Sequence, residues 1–209
     1  MSRLLHVVGS PSGERSRTRE VALHFLQAHR GHHPGAQVDT FDIWSRELPA
    51  FDAEMIQAKF AVLRGTQATP RQQALWQQAV ALAREFNAAD RLVFSVPMWN
   101  FGLPYRLKHF IDVVTLPGEN WSWSAQAGYR GLLRGKRALL VYSSAGDHAL
   151  PPHESAVDHQ KGQMRAWLAF IGIDDVHEIN VAPTLVAPER VARALAAAKR
   201  EAEDLARQF

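Results

Sequence analysis

The segment LLHVVGSPSGERSRT, residues 4–18, runs from an unbroken apolar stretch through hydroxyls, glycine, proline and arginine into a helical pattern. The short, nearly continuous apolar run at residues 3–8 reads as a strand covered on both faces, as in a parallel sheet. Residues 37–42, 91–96, 137–143 and 176–181 carry the same β-type content. Between these runs the apolar period becomes helical. Val21, Ala22, Phe25 and Leu26 share one face, and Leu75, Ala79, Leu82, Ala83 and Phe86 share another. Leu107, Phe110, Ile111 and Val114 mark a third stripe. Val157, Gln160, Met164, Trp167, Leu168 and Ile171 mark a fourth with one polar break, and Val191, Leu195, Ala198, Ala202 and Leu205 a fifth. Strands alternating with helices in this way predict an α/β three-layer sandwich around a parallel sheet.

Five strands suit the flavodoxin-like order 2-1-3-4-5 better than the six-stranded Rossmann order. Two connections, residues 44–70 and 116–134, are long enough to be functional or to carry short elements of their own. No repeat, low-complexity tract or linker divides the chain, so residues 1–209 are expected to form a single domain. With 46% hydrophobic residues it can bury a sizeable core. Its 24 basic and 21 acidic side chains leave a net charge of +3, without the basic cluster that a nucleic-acid groove needs. That mild balance suits an anionic small molecule. The absence of cysteine excludes disulfides, thiolate catalysis and Cys-based metal sites. The opening residues lack the pattern of a signal peptide, and no apolar segment reaches the roughly 18 residues that a membrane span needs. A cytoplasmic protein with no membrane or nucleic-acid partner is expected.

In an open parallel sheet, ligands sit beyond the carboxyl ends of the strands, at the switch point between the first and third. The loop at residues 9–18 leaves the first strand there. A helix starting near residues 16–18 offers unpaired N–H groups and the positive end of its dipole to a phosphate. Ser10, Ser16 and Thr18 add hydroxyl donors. The same residues also suit a plain helix cap, with Pro11 and Gly13 shaping a turn, and the loop alone does not decide. Neither a dinucleotide fingerprint nor a Walker motif is present: in GLLRGK, residues 131–136, Arg130 occupies the place of the first glycine.

Two more loops reach the same edge. The third strand runs into PMWNFGLPYRLKHFID, residues 97–112, where Pro97 stops the strand and Gly102 with Pro104 turns the chain. Met98, Trp99, Asn100 and Phe101 there offer a flat apolar surface with one amide, suited to a planar heteroaromatic ring. The fourth strand ends in Ser143, Ser144, Ala145 and Gly146, small residues whose backbone can approach a ring edge. An aromatic core cluster and an ordinary β-to-α turn are the plainer accounts of these two loops. Convergence of three loops at one edge favours a ligand.

These residues resemble the FMN-dependent NADH-azoreductase and quinone-reductase family, whose fold is flavodoxin-like, with PMWNFGLPYRLKHFID the most specific segment. The resemblance spans the chain from Arg3 to the C-terminal helix. It implies that Ser10, Ser16, Arg17 and Thr18 hold the FMN phosphate. Met98, Trp99, Asn100 and Phe101 would line the isoalloxazine, and Ser143, Ser144, Ala145 and Gly146 its pyrimidine end. Trp99 stands where tyrosine is more usual, and SSAG replaces the usual Ser-Arg-Gly-Gly. The loop ENWSWSAQAGYRGLLRGK, residues 119–136, looks like the family's segment that reaches the flavin of a partner subunit, with Trp121 and Trp123 at its aromatic positions. A homodimer with two interfacial sites is implied; folding of those tryptophans onto their own subunit is the alternative.

The resemblance further implies that NADH or NADPH reduces FMN, after which a quinone or azo compound takes the electrons in the same space, by a ping-pong mechanism. No nucleophile is required by that chemistry, and the motifs name no certain catalytic side chain. His148, beyond the SSAG loop, is placed to hydrogen-bond a substrate oxygen or supply a proton, or else is a plain loop histidine. His148, His153 and His159 lack metal-ligand spacing, so no metal is expected. Two rival readings remain: a flavodoxin-type electron carrier, against which the +3 balance argues, and a non-enzymatic α/β binding domain.

Overall fold

The computed structural model describes residues 2–147 and 157–209. In chain order the strands are β1 (Arg3–Val8), β2 (Gln37–Asp42), β3 (Arg91–Pro97), β4 (Trp121–Ser124), β5 (Gly128–Gly131), β6 (Arg137–Ser143) and β7 (Asp175–Val181). The helices are α1 (Arg17–His32), α2 (Ala53–Arg64), α3 (Pro70–Asn87), α4 (Tyr105–Val114), α5 (His159–Ile171) and α6 (Pro188–Leu205). Five strands pair in parallel in the order β2-β1-β3-β6-β7, which is the expected 2-1-3-4-5 arrangement with the antiparallel β4–β5 hairpin inserted. Register sets Val8 beside both Asp42 and Ser95, Pro97 beside Ser143, and Ser143 beside Val181. The carboxyl ends of the strands therefore share one edge.

Alternation along the strands builds two separate cores. Leu5, Val7, Leu92, Phe94, Val96, Leu140 and Tyr142 face α3, α4 and α5, where Phe86, Phe110, Met164 and Trp167 are buried. Leu4, Val93, Leu139, Val141 and Ile179 face α1 and α6, against Phe25, Ala198, Ala202 and the C-terminal Phe209. Each such side chain contributes roughly 1.5–3 kcal/mol through burial. Phe86 stacks on Trp167 at 5.7 Å between centroids, and Phe94 meets that indole edge-on at 5.8 Å. The indole N–H is satisfied by Thr115 Oγ1 at 2.9 Å.

The long connections carry elements. The first holds α2, which Asp52 caps through Met55 N at 3.1 Å and Gly65 ends in the left-handed conformation. Thr69 and Gln72 then form a capping box that starts α3 at Pro70. The second holds the β4–β5 hairpin, docked so closely on the end of α5 that a Cβ on Gly131 would lie 2.2 Å from Gly172 N. Two details of the fourth apolar stripe differ from its periodicity. Val157 lies before α5 and is exposed, whereas the polar break, Gln160, is fully buried because its amide donates to Val96 O at 2.8 Å.

One buried polar pair crosses the β1–β3 ladder: His6 Nε2 and Ser95 Oγ are 2.8 Å apart, both fully enclosed. Burial, reinforced by the Arg19 charge, lowers the His6 pKa from 6.5 to about 3. The unfolded chain thus binds the extra proton between those values, so stability rises with pH across that window and is lost as acid is added. Replacing His6→Gln is expected to reduce the slope of unfolding free energy by up to about 1.4 kcal/mol per pH unit between about pH 6 and 4. Denaturant titrations at several pH values measure it. Equal slopes in parent and variant would remove His6 as the acid-sensitive group.

Candidate functional site

The common strand edge gathers the loops after β1, β3, β6 and β7. Past the end of β1, Gly9 N still donates to Ser95 O at 3.0 Å, and a Cβ there would sit 2.6 Å from that oxygen. Only glycine lets the first loop start so close to β3. A short turn at Gly13–Arg15 then delivers Ser16 as the cap of α1. Ser16 Oγ accepts from Arg19 N at 3.2 Å and lies 3.1 Å from Thr18 Oγ1. Ser10, Ser16 and Thr18 are buried, while Arg17 is partly exposed. Arg17 N and Thr18 N belong to the first turn, where a helix supplies no acceptor. Three hydroxyls, these N–H groups and the helix dipole make a compact donor set for an anion.

The loop after β3 is a tight reverse turn. Trp99 N donates to Gly102 O and Gly102 N to Trp99 O, both at 3.0 Å. Its central residues, Asn100 and Phe101, have φ of 46° and 68°, the backbone of a turn that prefers Asn-Gly. Phenylalanine at positive φ costs of order 1–3 kcal/mol. The chain bears this cost to leave two aromatic rings half in solvent, Trp99 at 52% and Phe101 at 55% exposure. The half-buried Met98 anchors one end through its N–H to Ser143 O at 2.7 Å, and α5 braces the other, His159 N donating to Phe101 O at 3.0 Å. Asp158 caps α5 by accepting from Gln160 N and Lys161 N, each at 3.1 Å. Burial alone would raise that carboxyl, but hydrogen bonds from Lys161 and Gln160 hold it below the ordinary range.

Beside the turn lies a cleft of about 450 Å³ lined by Pro11, Trp44, Trp99, Asn100, Leu103, Pro104 and Tyr105. Trp44 reaches it by donating its indole N–H to Gly9 O at 3.2 Å, and Tyr105 meets that ring edge-on at 5.5 Å. Sequence reading did not single out Trp44 or Tyr105. The contact of Trp44 with the first loop spans 35 positions, and Tyr105 joins the site through Trp44, so neither has a local signal.

The loop after β6 closes the edge. Ser144 Oγ donates to Gly146 O at 2.7 Å, and Ala145 and Gly146 are exposed. Ser144 O accepts from Thr184 Oγ1 at 2.9 Å, so the loop after β7 also belongs to the site, a contribution that no motif announced. His148 lies outside the described residues. Among the described residues no group of three or more metal-ligating side chains occurs.

Trp121 and Trp123 stand elsewhere in the same chain. Helices α4 and α5 run back from the loop edge, and the β4–β5 hairpin springs from their far ends. Trp121 is buried against Phe170 and Tyr129, at 5.5 and 5.6 Å between centroids, while Trp123 is 60% exposed. Asn120 is fully buried, its Nδ2 donating to Val114 O at 2.6 Å.

With this geometry in view, residues 2–206 match the family model described as flavodoxin-like fold. The chain belongs to this flavodoxin-like family. Within it, the chain is 36% identical to an FMN-dependent NADH:quinone oxidoreductase of Desulfotalea psychrophila, over 100% of this chain and 98% of the relative. It is 40% identical to FMN-dependent NADH:quinone oxidoreductase 2 of Pseudomonas syringae pv. tomato, over 97% of each. Among solved structures it superposes on azoreductase from Bacillus anthracis str. Sterne with a TM-score of 0.90, at 23% identity and full coverage of both chains. That likeness extends the flavodoxin-like fold to every element named above.

The positive-φ turn yields a test. Phe101→Gly creates the favoured Asn-Gly pair and is expected to leave unfolding free energy unchanged or higher by about 1 kcal/mol, despite losing an aromatic ring. Affinity for a planar ligand at the crevice should fall in the same variant. A marked loss of stability would show that the ring is retained for packing.

Proposed function

We propose that this protein is an FMN-dependent oxidoreductase that passes reducing equivalents from NADH to quinones or azo compounds. The observation that carries the reading is the convergence, at one sheet edge, of an anion-suited helix mouth, two half-exposed aromatic rings and a loop of small residues. The relatives named FMN-dependent NADH:quinone oxidoreductase support it, since they are similar over nearly their whole length. Residues 1–209 act as one FMN-binding domain. NADPH is the alternative donor, and the chain works as a cytoplasmic enzyme; no helix among the described residues is long and apolar enough to cross a membrane.

The residues fit the cofactor end by end. Ser10, Ser16, Arg17 and Thr18, with the first N–H groups of α1, would hold the phosphate by dipole and hydrogen bonds. Met98, Trp99, Asn100 and Phe101 would support the flat ring system, and Ser143, Ser144, Ala145 and Gly146 would meet its pyrimidine edge. Bound there, FMN supplies two-electron acceptance and donation. The protein's work is to fix the ring, leave one face open to a flat partner, and stabilise developing negative charge with backbone donors. Donor and acceptor share that open face in turn, which gives ping-pong kinetics.

The chain is proposed to work as a homodimer, with the exposed Trp123 at the interface and turned to the partner's crevice, and with Trp121, packed on Phe170 and Tyr129 of its own chain, supporting the hairpin from behind. Support comes from the hairpin's position at the far end of its own sheet and from the exposure of Trp123, Tyr129 and Leu132 on one small unit. Exposed aromatics of this kind are typical of interface cores.

Purified protein is expected to bind FMN, to bleach with NADH and to recover its flavin absorption on adding a quinone. Binding without NADH bleaching would indicate an electron carrier. Ser16→Asp sets a carboxylate against the phosphate and should weaken FMN binding by at least tenfold, about 1.4 kcal/mol, measured by fluorescence quenching; unchanged affinity would refute the phosphate assignment. Trp123→Ser should lower both dimer content, by light scattering, and quinone turnover. A fully active monomer would contradict the shared site.

A further inference from the structure

Three carbonyls of the loop after β6 are bonded within the chain, and they all lean on one neighbour or on the loop itself. Ser144 O accepts from Thr184 N at 3.0 Å and from Thr184 Oγ1 at 2.9 Å. Ala145 O accepts from Thr184 N at 3.2 Å and Leu185 N at 3.3 Å. Gly146 O accepts from Ser144 Oγ at 2.7 Å. A trans peptide unit is planar, with its C=O and N–H pointing in opposite directions. Because the carbonyls of Ser144 and Ala145 are drawn toward the loop after β7, the N–H groups on the same two peptide units, those of Ala145 and Gly146, point away from it. Neither of these N–H groups has an acceptor among the described residues. Both residues are exposed at the strand edge that holds the candidate site.

We infer that Thr184 is a positioning residue that turns the Ala145 and Gly146 N–H groups into the crevice, where they donate to the pyrimidine edge of FMN. This rests on the reading of the site as an FMN site. The SSAG segment has no lysine or arginine: Ser144 and Ala145 fill its two central places, and the Ser144 hydroxyl is bonded to the loop's own carbonyl. Within that segment, stabilisation of negative charge on the ring edge therefore falls to the two backbone donors. Reduced FMN carries more negative charge at that edge than oxidised FMN, so donors held in place favour the reduced form over the oxidised one. The Thr184 hydroxyl thus acts on the cofactor's reduction potential through Ser144 O, with no contact to the ring. Thr184 is only partly buried and fills no core position, which separates this role from packing.

The test compares parent, Thr184→Val and Thr184→Ser holoproteins. Valine keeps the shape and removes the hydroxyl donor; serine restores it. In the valine variant the preference for reduced over oxidised FMN is expected to fall about tenfold, which for a two-electron couple lowers the midpoint potential by about 30 mV. The serine variant should return to the parent's potential. Potentials are read by equilibration with a reference dye, and FMN affinity by fluorescence quenching. Identical potentials in all three, or a lowered melting temperature with the potential unchanged, overturn the inference and leave the FMN reading intact. Failure of the parent to bind FMN overturns that reading instead, and this inference with it. Should the valine variant not fold, amide spectra of the ¹⁵N-labelled parent decide. The Ala145 and Gly146 N–H signals should move downfield when FMN binds and again when it is reduced, and signals that stay in place reject the proposal.

Discussion

One hydrogen bond, from Gly9 N to Ser95 O at 3.0 Å, continues the β1–β3 ladder past the last residue of β1 and sets where the first loop begins. There is no room for any side chain at that point, because a Cβ would press to 2.6 Å from the same oxygen. From this approach follow the start of the first loop at Ser10, the entry of α1 at Ser16, and the seat of Trp44, whose indole donates to Gly9 O. The first loop and the turn after β3 can then face a common crevice. Were β1 and β3 farther apart at that level, the anion-suited helix mouth and the aromatic turn would belong to different surfaces.

Around that anchor, rigidity is unevenly distributed. Below the edge, the sheet is closed by two apolar cores and by the buried His6–Ser95 pair, with little polar freedom left. At the edge, the chain accepts conformations that a core would not select: positive φ at Phe101, half-exposed Trp99, and N–H groups on Ala145 and Gly146 that have no acceptor among the described residues. The aromatic turn and the loop after β6 are held by bonds from neighbouring elements, His159 N to Phe101 O and Thr184 to Ser144 O. Such conformations concentrate where a ligand can offset their cost.

The strands and the five anticipated helices were legible because their apolar periods are strong, even with the one polar break at Gln160. Residues 3–8, 37–42 and 137–143 coincide with β1, β2 and β6, and β3 and β7 differ by one residue at an end. Helix α2 was not named, since Met55, Ala58 and Ala61 make too narrow an apolar stripe to stand out in a 27-residue connection that also exposes Ile56, Phe60 and Leu63. The β4–β5 hairpin escaped for a different reason. It has four residues per strand, and its docking depends on Gly131 meeting Gly172, a contact across 41 positions. At the site, the loops after β1, β3 and β6 announced themselves by glycine, proline and hydroxyl content; Trp44, Tyr105 and Thr184 could not, being ordinary residues made relevant by neighbours far along the chain.

By itself the sequence determined the alternation of buried strands and amphipathic helices, and hence the layers, the strand order and the edge at which three loops meet, because periodicity and turn chemistry are local properties of the chain. Only the tertiary structure decided which peptide groups face that edge. The turning of Phe101 into positive φ, the capture of Ser144 O by Thr184 and the departure of the tryptophan hairpin from the opposite end of the sheet all depend on contacts between segments dozens of residues apart, and hydrogen-bond direction across such distances leaves no trace in composition or period.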